Sequence, residues 1–161
     1  MTEIEFDAWQ SAMAVEYAAE QVAVGRWAQD GAVQRALDSN AELLPQGINT
    51  PRMLLLRAVD SDGELVGQAW VGLDHPRGAP GSAYLWDIEV VERRRGSGLG
   101  RALLAAVESA VIDAGIFALE LNAFGQNLPA ISLYDSSGYA VTTQQMRKDL
   151  RGATVREAPV G

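Results

Sequence analysis

A glycine-rich segment that carries four arginines is the part of the sequence whose composition and spacing point most directly to chemistry. Residues 93–101 read Arg-Arg-Arg-Gly-Ser-Gly-Leu-Gly-Arg and lie between a predicted strand and a predicted helix. Helix starts expose unpaired N–H groups and the positive end of the helix dipole, and glycines let the backbone approach an anion closely. We therefore predict that this turn binds a phosphate-like group. A tight turn with basic surface residues is the simpler alternative.

Two common nucleotide-binding patterns do not match this segment. The P-loop requires a lysine and a hydroxyl residue after its last glycine, but Gly100 is followed by Arg101 and Ala102. The dinucleotide pattern Gly-x-Gly-x-x-Gly would need a glycine at Arg101 or at Leu103. The spacing therefore does not support nucleotide binding at this turn.

The elements that position the turn follow from hydrophobic period and from glycine and proline. A capping box at Thr2 and Glu5 begins a helix that ends at Gly25, and a second helix runs from Gly31 to Pro45. Later helices are predicted over 98–115 and 129–138, and strands over 52–59, 65–72, 83–91, 117–123, 139–143 and 145–150. This alternation predicts an α/β (α+β) fold with a mixed sheet and helices on both faces. One domain over 1–150 and a fraying tail over 151–161 are expected.

Composition excludes several classes of protein. The 161 residues carry a formal net charge of -8, which argues against nucleic-acid binding, and contain no cysteine, which excludes a cysteinyl intermediate. An acidic N-terminus and short apolar runs predict no signal peptide and no membrane contact, hence a cytoplasmic protein. No metal site is expected, because the lone His75 stands in a loop and is predicted to lie on the surface.

Two ordered motifs resemble the GNAT acetyltransferase superfamily. Arg95-x-x-Gly98-x-Gly100 is similar to its cofactor motif, and Asn127 before a helix that bears Tyr134 is similar to its second signature. The resemblance covers residues 52–150 and implies a mixed sheet of about six to seven strands. Segments that resemble a group of little-characterised bacterial acetyltransferases within the superfamily are 17–20, 44–47 and 121–127.

The resemblance implies acetyl-CoA as cosubstrate, with no metal. The strands before and after the motif splay apart in this superfamily, and the pantetheine arm pairs with the first of them. Residues implied to bind the cofactor are Ile88, Val90, Arg95, Gly96, Ser97, Gly98, Leu99, Gly100, Arg101, Asn127 and Tyr134.

An acceptor amine must lose a proton before it attacks, so a base or a water relay is needed near the thioester. Asp87 and Glu89 are the candidates, since residues two apart on a strand project from one face about 6 to 7 Å apart. On this alternation Trp86, with Ile88 and Val90, lines the other face, unless a bulge disturbs it. A solvent-facing acidic stripe is the alternative interpretation. Fallback candidates for the base or for amine recognition are Glu120 and Asn122.

Tyr134 is the predicted acid, because superfamily members often use a tyrosine here to protonate the leaving thiolate. Core packing beside Ala130 and Ile131 is its alternative role. Asn127 is expected to bind pantetheine, to cap the following helix, or to do both.

The resulting prediction is direct transfer of the acetyl group to a primary amine, either of a small molecule or of a peptide N-terminus. A non-catalytic acyl-CoA-binding or regulatory module is the alternative function. The sequence does not identify the acceptor, and it is compatible with a homodimer.

Overall fold

A helical hairpin forms the N-terminal part of the protein in the computed structural model, which describes residues 1–150. Helix α1 spans Glu3–Ala23, and the predicted capping box is present at its start: Glu5 N–H donates to the Thr2 hydroxyl, and Thr2 N–H donates to the Glu5 carboxylate. Helix α2 spans Ala32–Leu43. Buried alanines from both helices meet at their contact, where small side chains let the backbones approach closely; they are Ala14, Ala18, Ala32 and Ala36.

A mixed four-stranded sheet follows, with β1 (Met53–Val59), β2 (Leu65–Gly72), β3 (Ser82–Val90) and β4 (Ala118–Leu121) in that spatial order. The first two pairings are antiparallel and the β3–β4 pairing is parallel. Asp60 tightens the predicted β1–β2 hairpin, since its carboxylate accepts the N–H groups of Asp62 and Glu64.

Helix α3 (Leu99–Asp113) provides the crossover that a parallel pair needs, and α4 (Leu128–Ser136) follows β4. One face of the sheet packs on α3 through Ala69, Val71, Ala83, Leu85, Leu104, Val107 and Val111. On the other face, Trp70 and Trp86 stack on each other, and Trp9 of α1 packs edge-on against Trp70. No helix within residues 1–150 is long and apolar enough to cross a membrane.

The predicted strand count is wrong for the described residues, because 139–143 and 145–150 form no ladder. Their apolar side chains have no surface to cover: Val141 is 82% exposed, Met146 is 84% exposed and Leu150 is 67% exposed. This segment contacts the end of α1 instead, where the Arg147 guanidinium donates to the carbonyls of Val24 and Gly25 at 3.0 and 2.9 Å. The predicted frayed tail, 151–161, lies outside the described residues.

A β-bulge in β3 corrects the predicted face of Trp86. Trp70 pairs with Asp87 but Val71 pairs with Leu85, so Trp86 is the extra residue between them. Its ring stacks on Trp70 at 5.4 Å, on the α1 side of the sheet. Ile88 packs with the α3-side core, as the alternation predicts. Asp87 and Trp86 therefore share a face that simple alternation would have separated.

Candidate functional site

The glycine-rich turn lies between β3 and α3, as the sequence predicts, and its backbone is open. Gly96 and Gly98 have φ of +76° and +83°, in the left-handed region that favours glycine, and a Cβ at either position would meet no atom within 4 Å. Within residues 1–150, the N–H groups of 96–100 donate no hydrogen bond. Five consecutive free donors at the start of a 15-residue helix fit a phosphate group.

The four arginines of the turn brace it rather than project freely. Arg95 folds back on β3, where its Nε donates to the Val90 carbonyl at 3.0 Å and its Nη2 to Glu89 at 3.0 Å. Arg101 ties the start of α3 to the end of α4 through the Ser136 hydroxyl at 2.7 Å. The other two ion pairs reach the β1–β2 hairpin: Arg93 with Glu64 and Arg94 with Asp60. The sequence argument treated these charges as available to an anion, whereas the open backbone donors are the stronger feature.

Strands β3 and β4 separate beside this turn. Their parallel pairing joins Ser82–Leu85 to Ala118–Leu121, while β3 continues to Val90 with β2 alone. The edge of β3 beyond Leu85 is therefore free on the β4 side, as the predicted splay requires. The side chains of Ile88 and Val90 point toward the α3 side, and a Cβ at Gly100 would lie 4.0 Å from Val90 Cγ2. A pantetheine arm that paired with this edge would therefore contact the backbone of Ile88 and Val90 and not their side chains.

Asp87 lies on the α1 side of the open edge with a strongly perturbed carboxyl group. Burial, followed by repulsion from Glu89, Glu16 and Glu20, raises its pKa to about 7. The Trp9 indole N–H opposes this shift, although it does not reach a partner in normal hydrogen-bond geometry. A carboxyl that titrates near neutral pH can accept a proton under cellular conditions.

Glu89 is in a different situation, because it is ion-paired with Arg95 at 3.0 Å. One of its carboxylate oxygens is therefore occupied by the Arg95 guanidinium and not free to face an incoming amine. The structure therefore separates the two candidates that the sequence left equivalent: Asp87 is buried with a raised pKa, and Glu89 is ion-paired with Arg95 of the glycine-rich turn.

Two acidic residues of α1 were missed by the sequence analysis. Burial and the neighbouring Glu89 raise the pKa of Glu16, and burial and Glu16 raise the pKa of Glu20. The sequence could have singled them out, because Glu16 and Glu20 are four positions apart on one helix face. Like charges at that spacing repel and destabilise the helix. No group of acidic or histidine side chains within 1–150 is arranged to hold a metal ion.

Tyr134, on α4, lies near Asp87 across the open edge. Burial, with a contribution from the Asp87 charge, raises the pKa of its hydroxyl to about 12, so the phenol stays protonated at neutral pH. Its ring packs against Tyr139 at 5.6 Å and against the α3-side core. Asn127 caps α4, because its side-chain oxygen accepts the Ala130 N–H at 3.2 Å.

The structure places His75 in the interior, which corrects the prediction of a surface histidine. It is 8% exposed, and its Nε2 lies 3.2 Å from a carboxylate oxygen of Glu120, the fallback candidate on β4. Sequence offered no signal for this pair, because 45 positions separate the two residues. Asn122, the other fallback, is exposed just beyond the end of β4.

Comparison with known proteins agrees with this fold. The model of the acetyltransferase (GNAT) family matches residues 13–139. YycN of Bacillus subtilis, named an uncharacterized N-acetyltransferase, is 30% identical over 146 residues, which make up 91% of this chain and 93% of YycN. The crystal structure of YycN superimposes with a TM-score of 0.85 over 93% of this chain and 95% of its own. A mycothiol acetyltransferase of Pseudarthrobacter chlorophenolicus is 36% identical over 86 residues, 52% of this chain but 26% of that enzyme.

Proposed function

Because this chain belongs to the GNAT acetyltransferase family, we propose that it transfers the acetyl group of acetyl-CoA directly to a primary amine. One observation supports the proposal: the open edge of β3 leads from the unpaired N–H groups of the turn to Asp87, whose charge is close enough to act on the Tyr134 hydroxyl. The turn would hold the pyrophosphate of the donor, and the edge would pair with its pantetheine arm. The thioester would then lie beside the two titratable groups.

In this reaction the amine nitrogen attacks the thioester carbon, a C–N bond forms, and the C–S bond breaks. Asp87 accepts the proton that the amine loses, directly or through a water molecule. Free N–H groups on the β3 edge stabilise the oxyanion, and the Tyr134 hydroxyl donates to the departing sulfur. No cysteine exists in the chain to carry the acetyl group, so transfer without a cysteinyl intermediate is the consistent route.

An acceptor screen tests the proposal. Purified protein is incubated with acetyl-CoA and amino acids, polyamines, aminoglycosides or short peptides, and free thiol release is measured. We expect at least one amine class to accelerate release well above acetyl-CoA hydrolysis. Tight binding of acetyl-CoA with no accelerated release for any amine would instead support the non-catalytic module.

Gly98→Val is expected to abolish most of the thermal stabilisation that CoA confers, because a β-branched side chain would stand in the path of the phosphate. The variant also strains a left-handed backbone position, so a matched control is needed. Gly31→Val provides it: Gly31 likewise precedes a helix, at φ +74°, with no atom within 4 Å of a Cβ. Both variants should lower the apo melting temperature, and only Gly98→Val should lose the shift with CoA. An equal CoA shift in both would remove the turn from the cofactor site.

A further inference from the structure

His75 is a buried side chain that the acetyl-transfer chemistry above does not use. Its Nδ1 accepts the Arg77 N–H at 3.1 Å, so the proton of a neutral imidazole is on Nε2. That nitrogen is buried, makes no hydrogen bond of normal geometry, and is aimed at Glu120 Oε2 at 3.2 Å. The Tyr84 ring packs edge-on against the imidazole, with the ring centroids 5.2 Å apart, and so restricts rotation of the imidazole ring. A buried polar group costs free energy unless a hydrogen bond satisfies it, and the Glu120 carboxylate is the acceptor within reach of this nitrogen.

Glu120 is the neighbour, and it is held from two sides. The Ser82 hydroxyl lies 3.4 Å from Oε1, and His75 faces Oε2. The side chain nevertheless remains 39% exposed, and within residues 1–150 no lysine or arginine forms an ion pair with it. A carboxylate oriented by protein groups yet open to solvent is suited to bind a ligand cation.

Glu120 lies on the α1 side of the sheet, the same side as Asp87, since its cross-strand partner Tyr84 packs on Trp86. Burial raises the pKa of this Tyr84 hydroxyl; the nearby Arg77 charge opposes the shift, and Tyr17 and Glu120 add to it. The Tyr17 ring of α1 lies 6.4 Å from the Phe124 ring, so α1 approaches the segment that follows β4. Aromatic rings beside a carboxylate are a favourable environment for an ammonium group.

The carboxylates of Asp87 on β3 and Glu120 on β4 are separated along the direction of the strands. Asp87 comes three positions after Tyr84, and at about 3.3 Å per residue it lies roughly 10 Å from the level of Glu120, less the shortening at the bulge. Glu16 and Glu20 on α1 add negative charge near Asp87. An acceptor with two ammonium groups matches this arrangement better than one with a single amine.

We propose that His75 is a positioning residue that holds Glu120 to bind a second ammonium group of the acceptor, while the first is acetylated beside Asp87. The inference rests on the proposed function and narrows its acceptor to diamines and related polycations. His75 touches neither the reacting amine nor the thioester, and it acts through the orientation of Glu120.

The test compares hexamethylenediamine with its matched monoamine, hexylamine, as acceptors for the full-length protein. We expect the wild type to have the lower KM for the diamine, and Glu120→Gln to raise that KM about fivefold, the upper end for a half-exposed ion pair. The KM for hexylamine should change much less. Glu42→Gln removes a charge from an exposed site on α2 and should leave both values unchanged.

His75→Leu should raise the diamine KM in the same way, and His75→Gln should stay closer to the wild type, because a carboxamide N–H can replace Nε2–H. Should the leucine variant fail to fold, the glutamine and Glu120→Gln variants still give the comparison. The inference is overturned if the wild type acetylates amines without preferring the diamine, or if Glu120→Gln leaves the preference intact. A wild type that acetylates no amine refutes the proposed function itself.

Discussion

Replacing Asp87 with asparagine is expected to lower kcat/KM about 100-fold near neutral pH, the low end of the range for loss of a general base. Asparagine keeps the shape of the side chain but cannot accept the proton of the attacking amine. The measurement is a pH–rate profile on the best acceptor. The wild-type profile should rise with pH through an apparent pKa near 7, and this limb should disappear in the variant, whose rate then follows the supply of free amine.

Glu89→Gln is the matched control, because it removes a neighbouring carboxylate that is engaged with Arg95. Its rate should fall less than that of Asp87→Asn. Its profile should also shift to lower pH, since Glu89 repulsion is the largest charge contribution to the raised Asp87 pKa. If Asp87→Asn retains the wild-type rate and profile, the base is Glu120 or a water relay.

Stability gives a second readout for Asp87 that does not depend on catalysis. Its folded pKa of about 7 is above the ordinary value of 3.8, so the folded state holds a proton that the unfolded chain releases. The stability that this proton contributes is fully present below about pH 4 and is lost as the pH rises toward 7. Asp87→Asn should therefore be more stable than the wild type at pH 8, with a smaller difference at pH 5, as measured by melting temperature.

Replacing Tyr134 with phenylalanine is expected to lower kcat about 100-fold with little change in CoA affinity, because the lost hydroxyl acts mainly as charge develops on sulfur. A phenol with a pKa of about 12 gives up its proton reluctantly, and an ordinary thiol has a pKa near 8.5. We therefore expect Tyr134 to act chiefly as a hydrogen-bond donor to the thiolate. For a hydrogen-bond donor of this kind, the fall in kcat should lie at the low end of the range for loss of a general acid.

Tyr139→Phe is the matched control, since the two rings pack at 5.6 Å and burial raises the pKa of both hydroxyls. This substitution also removes a phenol hydroxyl from the Tyr134–Tyr139 ring pair, but from a tyrosine that has no part in the proposed reaction. Steady-state kinetics and CoA titration of both variants give the comparison. Equal and small losses of kcat in the two would make Tyr134 a packing residue.

The sequence by itself determined the features that depend on neighbouring residues. The Thr2 capping box, the Asp60 hairpin turn and the Asn127 cap each satisfy backbone groups within five positions, so local chemistry is sufficient to predict them. The left-handed glycines at 96 and 98 belong to the same class, because only glycine adopts that backbone without strain. The family followed from the spacing of two such local motifs.

Only the tertiary structure decided which side chains act on one another. The bulge that moves Trp86 depends on the β2 register, and the distinction between Asp87 and Glu89 depends on Arg95 and on α1, about 70 residues earlier. Residues 139–150 have strand-like composition but no partner edge, and a ladder cannot form without one. His75 and Glu120 meet because the loop between β2 and β3 folds back over β4, the parallel neighbour of β3. Burial and charge are properties of the assembled neighbourhood, and they set the pKa values on which the proposed chemistry depends.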